Sequence, residues 1–371
     1  MSKAVPIIIP SYEPDERLNA LIESLKGAAL GPIVVVDDGS GEKYQKYFED
    51  AKAAGCVVLM HEVNKGKGRA LKDAFSYCIE NIPDILGCVT ADSDGQHTVD
   101  DIEKCVNELN RHPECLVMGC RDFSGDDVPW KSSFGNNVTK RVCKYLCGVS
   151  VSDTQTGLRA IPAQFMRELD QIKGERFEFE TNMLLETKDS YKIIEVPIQT
   201  IYESKKEHQT HFRPFVDSFR IYKLFGAKFI KFTFSSLSSS IIDLALFAIL
   251  CRVLKVDSAQ SSQYVSLIDR ILHDVTIPTT IIARVVSCIY NYLINYHLVF
   301  KSKERSSKSI IKYFSLAVVQ MLLSASLVST VVTFTKGPRL IIKMCIDTIL
   351  FLISFVIQRE FVFKSRKKKD K

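Results

Sequence analysis

Four long apolar stretches fill most of the second half of the sequence, and they limit its fold more than any other feature. The stretches cover residues 232–254, 277–300, 309–334 and 340–363. As a helix, each is long enough to cross a hydrocarbon core about 30 Å thick. Because backbone polar groups inside lipid must find partners within the chain, the sequence predicts an all-α transmembrane domain of four helices over residues 229–371.

The charges next to these stretches predict their orientation. Basic residues precede the first stretch, join the second to the third and form a tail after the fourth: Lys228, Lys231, Lys301, Lys303, Arg305, Lys308 and residues 364–371. The connection over 255–276 is acidic instead, whereas the short link over 336–339 is basic and goes against the trend. Since cytoplasmic loops carry an excess of basic residues, we expect a multi-pass cell-membrane protein with residues 1–228 and both termini in the cytoplasm. The tail is expected to bind anionic membrane lipid and not nucleic acid.

Residues 1–228 have a different pattern, in which short apolar runs alternate with amphipathic segments of helical length. Strands are predicted over 5–9, 33–36, 57–60, 85–91 and 116–118, and helices over 18–25, 44–54, 70–79 and 99–109. This alternation is typical of an α/β, Rossmann-like domain with an open, mostly parallel sheet, helices on both faces, and ligands at the carboxyl ends of its strands. The 11 cysteines include no Cys-x-x-Cys pair, so neither a zinc site nor a disulfide framework is expected.

Polar clusters follow four of the predicted strands. In chain order they are Pro10-Ser11-Tyr12-Glu13-Pro14, Asp37-Asp38-Gly39-Ser40, Asn64-Lys65-Gly66-Lys67-Gly68 and Asp92-Ser93-Asp94. Asp37 and Asp38 can accept hydrogen bonds from a base or ribose, and Gly66 and Gly68 are expected to let backbone N–H groups approach a phosphate at a helix start. Each cluster alone is also a good turn or a solvated loop, but four at successive strand ends favour one shared ligand.

The fourth cluster points to a metal. Asp92 and Asp94 flank a single residue, and both can reach a hard divalent cation if the turn bends between them. Mg²⁺ and Mn²⁺ favour oxygen ligands shared with substrate phosphates. A bare Asp-x-Asp is more often a helix cap or an exposed loop. The prediction of a metal–diphosphate site therefore depends on the neighbouring clusters.

Together these motifs resemble those of the family 2 glycosyltransferases, in particular the polyprenyl-phosphate branch that is similar to dolichol-phosphate mannose synthase. Further motifs extend the resemblance over residues 4–218: Gly119-Cys120-Arg121, Asp153-Thr154-Gln155-Thr156-Gly157-Leu158-Arg159, Arg176-Phe177-Glu178-Phe179-Glu180 and Glu195-Val196-Pro197-Ile198. The resemblance implies a GT-A fold, a nucleoside-diphosphate sugar as donor, a polyprenyl phosphate as acceptor, and Mg²⁺ or Mn²⁺ as cofactor.

The resemblance also implies roles for individual residues. Donor binding is implied for Pro10, Tyr12, Glu13, Asp37, Asp38, Lys67 and Asp92, and metal binding for Asp92 and Asp94. Gln96 is expected near the sugar. The predicted catalytic residues are Asp94, Gln96, Arg121 and Arg213.

Three arginines are candidates for holding the acceptor phosphate, because a guanidinium matches phosphate geometry and stays charged. They are Arg121, Arg159 and Arg213. The alternative for Arg121 and Arg159 is an ordinary ion pair at a strand end. Arg213 lies in a long polar segment, residues 202–214, which precedes the first apolar stretch. We expect this segment to close the site at the membrane surface.

The apolar half resembles the GtrA-like family of four-helix membrane proteins, which are linked with polyprenyl-phosphate sugar transfer. The residues that carry the resemblance are Asp243, 283–287, Asn291, Asn295, Asp347 and 358–363, with a departure at Tyr296-His297. The resemblance implies that this domain anchors the enzyme, associates with further copies, or helps move the product across the bilayer, and homo-oligomerisation is left open. Asp243, Arg284 and Asp347 are ionisable side chains within apolar stretches, which makes them functional candidates.

An internal repeat is visible in the same half. Residues 298–303 match 361–366 at an offset of 63, which also aligns Asn295 with Gln358. Two parallel helical hairpins related by a pseudo-two-fold axis along the membrane normal would give this pattern, although similar helix ends can also arise from interface preferences alone. The offset places Arg284 and Asp347 at matching depth, so they are predicted to pair between the second and fourth helices, with Asp243 as a competing partner for the arginine.

The sequence therefore predicts a membrane-bound glycosyltransferase that moves a sugar to an undecaprenyl- or dolichyl-type phosphate on the cytoplasmic face, for cell-envelope or glycoconjugate glycosylation. The acceptor phosphate is anionic near neutral pH, so positioning and charge stabilisation suffice, and inversion is implied by the resemblance. One alternative, a processive polysaccharide synthase, is disfavoured because the sequence has no Gln-x-x-Arg-Trp segment and Trp130 is its 1 tryptophan. Another, an inactive scaffold or flippase, is disfavoured by the intact Asp38, Asp92, Asp94 and Gln96.

Overall fold

A computed structural model describes residues 3–122, 130–199, 214–253, 276–302 and 304–364. The chain divides into two compact units, Met1–Phe225 and Gly226–Lys371. Three segments with predicted roles lie outside the described residues: the polar segment up to and including Arg213, the acidic connection over 255–275, and the tail from residue 365.

The first unit is built on a mixed sheet of seven strands. They are β1 (Ile7–Ser11), β2 (Ile33–Asp37), β3 (Val57–Met60), β4 (Gly87–Thr90), β5 (Leu116–Arg121), β6 (Arg159–Pro162) and β7 (Ile193–Ile198), in the order β3-β2-β1-β4-β6-β5-β7. β6 runs antiparallel to β4 and β5, and the other neighbouring pairs are parallel. The predicted open, mostly parallel sheet is confirmed, with β6 as an antiparallel strand that the apolar pattern did not indicate.

Helices cover both faces of this sheet. They are α1 (Glu16–Gly27), α2 (Gln45–Ala53), α3 (Lys67–Asn81), α4 (Val99–Arg111), α5 (Trp130–Cys147), α6 (Ala163–Leu169) and α7 (Glu178–Glu186). Successive residues of a strand point to opposite faces. Accordingly Ile8 of β1 packs in one core cluster with Phe75 of α3, whereas Ile7 and Ile9 pack in another with Leu18 of α1.

The second unit is helical. Its long helices are α8 (Pro214–Val253), which begins in the first unit, α9 (Thr276–Ile294), α10 (Ser306–Thr335) and α11 (Arg339–Ile357). Three segments among the described residues are long and apolar enough to cross a membrane: Gly226–Val253, Ser306–Thr335 and Arg339–Val362. The remaining predicted span, residues 277–300, corresponds to α9 and the π-helix that continues it, and its crossing of the membrane stays a prediction.

The structure supports the internal repeat in this unit. The π-helices that follow α9 and α11, Asn295–Val299 and Gln358–Val362, start 63 residues apart. Nδ2 of Asn295 donates to Oε1 of Gln358 at 3.1 Å, and the equivalent rings of Phe300 and Phe363 stack with centroids 5.1 Å apart. Equivalent residues of two repeats can touch only near the axis that relates them. A pseudo-two-fold axis therefore passes between the ends of α9 and α11.

Aromatic contacts around this axis occur in matched pairs. The ring centroids of Phe232 and Phe300 are 6.1 Å apart, and those of the equivalent pair, Tyr313 and Phe363, are 6.3 Å apart. The distance is 5.3 Å for Phe232 and Phe355, and 5.5 Å for the equivalent Tyr313 and Tyr292. It is 6.0 Å for Phe300 and Phe355, and 5.9 Å for the equivalent Phe363 and Tyr292. Phe232 on α8 thus corresponds to Tyr313 on α10. The first hairpin, α8 with α9, repeats as α10 with α11.

The predicted pair between Arg284 and Asp347 was wrong. Nη2 of Arg284 lies 3.3 Å from Oδ2 of Asp243, the competing partner. Asp347 instead accepts a hydrogen bond from Ser324 and lies 2.9 Å from Nζ of Lys343. The repeat explains the difference, because positions 284 and 347 are equivalent. Each side chain turns toward the first helix of its own hairpin, α8 for Arg284 and α10 for Asp347.

Candidate active site

The carboxyl ends of β1, β2 and β4 lie side by side at one edge of the sheet, because β1 pairs in parallel with both neighbours. Ser11, the last residue of β1, is in register with Asp37 at the end of β2. The N–H of Asp38 donates to the carbonyl O of Ser11 at 2.9 Å, and the N–H of Glu13 donates to Oγ of Ser40 at 2.9 Å. These bonds bring together the residues predicted to bind the donor after β1 and β2.

Asp37 and Asp38 are both buried, and the protein itself uses their carboxylates. Oδ1 of Asp37 accepts the N–H of Ser40 at 2.9 Å. Asp38 accepts hydrogen bonds from the backbone N–H groups of Lys65 and Gly66 at 2.9 and 2.8 Å. Its Oδ1 also lies 2.8 Å from Nδ1 of His61. A carboxylate has about four acceptor positions, which leaves Asp38 about one for a ligand.

The loop after β1 is held in one conformation. Pro10 lies within the strand, paired in register with Val36. Glu13 has φ of 52°, a left-handed conformation that is rare for a residue with a side chain and is often found at functional sites. Burial and a hydrogen bond to the Glu13 carboxylate raise the pKa of the Tyr12 hydroxyl. The side chains of Tyr12 and Glu13 are therefore hydrogen-bonded to each other in this loop.

Lys67 begins α3, and its amine lies between two carboxylates. Nζ is 2.7 Å from Oδ1 of Asp92 and 3.1 Å from Oε1 of Glu180 on α7. Burial alone would lower the pKa of the Lys67 amine, but the charges of Asp92 and Glu180 outweigh it and hold the pKa above its ordinary value. The structure thus joins two of the predicted donor-binding residues, Lys67 and Asp92, and adds Glu180 to the site.

The second oxygen of the Asp92 carboxylate faces His97 and Gly157. Nε2 of His97 lies 3.6 Å from Oδ2 of Asp92, and the imidazole is buried with no hydrogen-bond partner among the described residues for either nitrogen. Burial would raise the pKa of Asp92, but Lys67 and His97 lower it, so the carboxylate stays ionised. A Cβ on Gly157 would clash with this carboxylate, 2.8 Å from its Cγ. Glycine is therefore required at position 157 for the backbone to approach Asp92.

Asp94 lies beside Asp92 in the same loop. Its Oδ1 accepts the N–H of Gln96 at 3.1 Å. Burial, and then the charge of Asp92, raise the pKa of Asp94. A divalent cation would relieve this crowding of negative charge, so the two carboxylates fit Mg²⁺ or Mn²⁺. In the described parts of the chain no three His, Cys, Asp or Glu side chains group closely enough to hold a metal by themselves.

Gly66 and Gly68 allow close packing at the start of α3. A Cβ on Gly66 would clash with the carbonyl O of Glu175, and a Cβ on Gly68 would lie 2.5 Å from Cβ of Phe179. The N–H of Gly66 donates to Asp38, so the expectation that it approaches a phosphate is corrected. For Gly68 that expectation stays a prediction.

Two of the predicted arginines have protein partners. Nε and Nη2 of Arg121 lie 2.7 and 3.3 Å from the two carboxylate oxygens of Asp153, which is fully buried. Arg159 is 1% exposed and donates to the carbonyl oxygens of Thr156 and Glu180. The structure keeps Arg121 partly accessible but places Arg159 in the interior, so Arg159 supports the site and does not reach an acceptor. Arg213 lies outside the described residues.

Glu180, His97 and Gly157 complete a site that the sequence outlined only in part. Each belongs to a motif that carries the family resemblance, but the spacing of residues within these motifs does not show which of them lies against Asp92 or Lys67. The signal that could have found Glu180 is its charge within an apolar Phe-x-Phe-x context, since a buried carboxylate needs a cation nearby.

The first unit is a GT-A, Rossmann-like domain with a mixed sheet, and acidic residues and a lysine lie at the carboxyl edge of its strands. Residues 7–169 match the model of Glycosyl transferase family 2, and residues 231–363 match that of the GtrA/DPMS transmembrane domain. The chain belongs to glycosyltransferase family 2, and it continues into a GtrA/DPMS transmembrane domain. The predicted fusion is confirmed, and the protein is a membrane glycosyltransferase.

Several known proteins are similar to the first unit. An uncharacterised protein of Methanocaldococcus jannaschii is 30% identical over 201 residues, which cover 53% of this chain and 81% of the relative. The UDP-N-acetylglucosamine–dolichyl-phosphate N-acetylglucosaminyltransferase of Methanococcus voltae is 28% identical over 219 residues, 54% of this chain and 86% of the relative. A crystal structure of glucosyl-3-phosphoglycerate synthase from Mycobacterium tuberculosis, with Mn²⁺ and UDP, aligns with a TM-score of 0.45 at 17% identity over 60% of this chain and 76% of that one.

Proposed function

We propose that the enzyme transfers a sugar from a nucleoside diphosphate to a polyprenyl phosphate on the cytoplasmic face of the membrane, with inversion. The observation that carries this proposal is the cluster of Lys67, Asp92 and Glu180 at the carboxyl edge of the sheet, in a chain that also has a GtrA/DPMS transmembrane domain. The name of the Methanococcus voltae relative, a dolichyl-phosphate N-acetylglucosaminyltransferase, supports the class of acceptor.

The donor would bind across the ends of β1, β2 and β4. Tyr12, Glu13 and Asp38 are proposed to contact the nucleoside, for which Asp38 retains about one acceptor position. Lys67 is proposed to hold the diphosphate, because its amine stays charged at the start of α3, where the helix dipole also favours anions. Gln96 is proposed to lie near the sugar.

Asp92 and Asp94 are proposed to hold Mg²⁺ or Mn²⁺ together with the donor diphosphate. The bound cation would supply charge neutralisation for the leaving nucleoside diphosphate. The protein's own part is positioning. Lys67 and His97 keep Asp92 ionised, and the N–H of Gln96 fixes Asp94, so both carboxylates are preorganised for the ligand.

The acceptor phosphate is proposed to be held by Arg121 and Arg213. The Arg121 guanidinium lies against the buried Asp153 and is partly exposed to solvent, and its planar shape and charge match a phosphate. The assignment of Arg213 rests on its place in a cationic, aromatic-containing polar segment directly before α8. A phosphate near neutral pH needs no general base, so in-line attack on the anomeric carbon would follow from positioning alone.

The basic residues beside the apolar helices support an orientation with both termini and the first unit in the cytoplasm, and with four membrane crossings. A cysteine-accessibility test would check this orientation. Thiol labelling from outside intact cells should reach a cysteine placed between residues 255 and 275, and should not reach one placed in the tail. Labelling of the tail would overturn it.

The function itself is tested with the purified full-length protein, polyprenyl phosphate, and a panel of UDP- and GDP-sugars. We expect one lipid-linked monosaccharide, identified by mass spectrometry, whose formation stops with EDTA and resumes with added Mg²⁺ or Mn²⁺. A growing polymer would instead indicate a processive synthase. Failure to transfer or hydrolyse any donor would indicate a scaffold whose transferase domain is inactive.

A further inference from the structure

His61 is a buried histidine that the proposed reaction does not use. It directly follows β3, at the same edge of the sheet as the site, and its side chain is 6% exposed. Nδ1 lies 2.8 Å from Oδ1 of Asp38, and Nε2 lies 3.0 Å from Oδ2 of Asp73 on α3. The imidazole therefore bridges the end of β2 and the middle of α3.

Both ring nitrogens of His61 face carboxylate oxygens. The charged groups around the ring are Asp38 from the end of β2, and Asp73 and Arg69 from α3, with Nη1 of Arg69 3.6 Å from Asp73. Arg69 is also paired with Glu175 at 2.6 Å, so part of its charge is already balanced. The imidazole thus links two carboxylates that belong to different elements of the fold.

The bridge leads to the donor site through Asp38. The same carboxylate accepts the backbone N–H groups of Lys65 and Gly66 at 2.9 and 2.8 Å. The next residue is Lys67, whose amine contacts Asp92 at 2.7 Å. His61 therefore fixes Asp38, and Asp38 fixes the turn that delivers Lys67 to Asp92.

We propose that His61 is a positioning residue for the donor. It ties Asp38 to α3 so that the nucleoside-binding loop and the Lys67 amine are held at one spacing, and it acts on donor binding more than on transfer. This inference rests on the proposed function, since it assigns the nucleotide to the Asp38–Lys67 region.

The test compares His61→Gln with His112→Gln. Gln can donate only from its amide nitrogen, so it cannot keep both bonds, whereas His112 is an exposed histidine beside Glu108 at the end of α4. We expect His61→Gln to raise the KM for the nucleotide sugar about tenfold or more and to change kcat by less than about threefold, because one of the two hydrogen bonds to a buried or half-buried carboxylate is lost. His112→Gln should match the natural protein. An unchanged KM in His61→Gln would overturn the proposal, and so would equal changes in both variants.

Hydrogen exchange gives a readout that does not depend on transfer. The amides of Lys65 and Gly66 should exchange faster in His61→Gln, while those of β1 and β2 keep their protection. If His61→Gln does not fold, Asp73→Asn replaces it, because this variant weakens only the hydrogen bond between His61 and position 73. Asp73→Asn should change amide exchange and the KM in the same direction but by a smaller amount. If it changes neither, the inference is overturned. If the natural protein binds no nucleotide sugar, the proposed function fails, and the exchange of Lys65 and Gly66 still decides whether the bridge orders the turn.

Discussion

Asp92 and Asp94 are close in the chain, but their surroundings give them different tasks. Lys67 and His97 hold the pKa of Asp92 low, whereas burial and the charge of Asp92 raise the pKa of Asp94. A raised pKa means that the ionised form of Asp94 is disfavoured by its surroundings, and a cation bound between the two carboxylates would favour that form. A carboxyl with a shifted pKa beside a second carboxylate is common where a charged ligand binds.

Asp94→Asn tests this assignment. The amide oxygen can still accept the N–H of Gln96, and the crowded charge is gone, so the unfolding temperature should be unchanged or higher. Transfer should fall at least about 100-fold, because a group that stabilises the transition state through the cation is lost. Thermal unfolding and metal-dependent transfer measure both effects. Near-normal, still metal-dependent transfer would contradict the role of Asp94.

Glu180→Gln tests the placement of Lys67. The variant keeps the size of the side chain but removes one of the two charges that hold the amine, so Lys67 should be held less well beside Asp92. We expect a several-fold rise in the KM for the donor with a modest loss of kcat. Glu186→Gln, on the exposed side of the same helix, is the matched control and should have no effect. If both variants behave alike, Glu180 does not position Lys67.

Strands and helices of the first unit were predictable where the signal is local. Apolar runs found β1 to β5, and amphipathic spacing found α1 to α4, with differences of a few residues at their ends. β6 was missed because Arg159–Pro162 is short and includes a charged residue, whose burial is compensated in part by a hydrogen bond to the carbonyl O of Glu180 on α7. The site follows the same rule. Strand-end aspartates were visible in the sequence, but the contact of Glu180 with Lys67 joins distant elements and could not be predicted.

The contact between the start of α3 and the chain before α7 is an element-level prediction. Gly68→Ala would place a Cβ 2.5 Å from Phe179, and overpacking of this kind costs about 1–3 kcal/mol, more than the gain in helix propensity of about 1 kcal/mol. The unfolding temperature of the first unit should fall, and the KM for the donor should rise because Lys67 is displaced. Gly27→Ala, at the end of α1 with no atom within 4 Å of the added Cβ, is the control. Equal stability of the two variants would contradict the close packing.

In the whole molecule, the first unit has a site assembled from residues that are far apart in the sequence. The second unit, which follows it in the chain, consists of two similar helical hairpins. At the axis of the repeat, Asn295 contacts Gln358 and Phe300 contacts Phe363. Away from the axis the two hairpins differ, because the position of Asp243 in the first hairpin is occupied by Ser324 in the second. The axis contacts preserve the shape of the pair of hairpins, while the charged positions make the hairpins different. Among the described residues, an acid–base pair between the two helices of one hairpin is therefore found in the first hairpin, between Arg284 and Asp243.

That asymmetry gives a test that distinguishes the observed pair from the one the sequence predicted. A single charge left within an apolar helix costs about 2.5–3.5 kcal/mol, so Arg284→Leu and Asp243→Leu should each lower the yield and thermal stability of the full-length protein in detergent. The double variant Arg284→Leu with Asp243→Leu should recover most of the loss, because no unpaired charge remains. Arg284→Leu combined with Asp347→Leu should show no such recovery, since Asp347 is held by Ser324 and Lys343. Recovery in the second combination and not in the first would reverse the assignment.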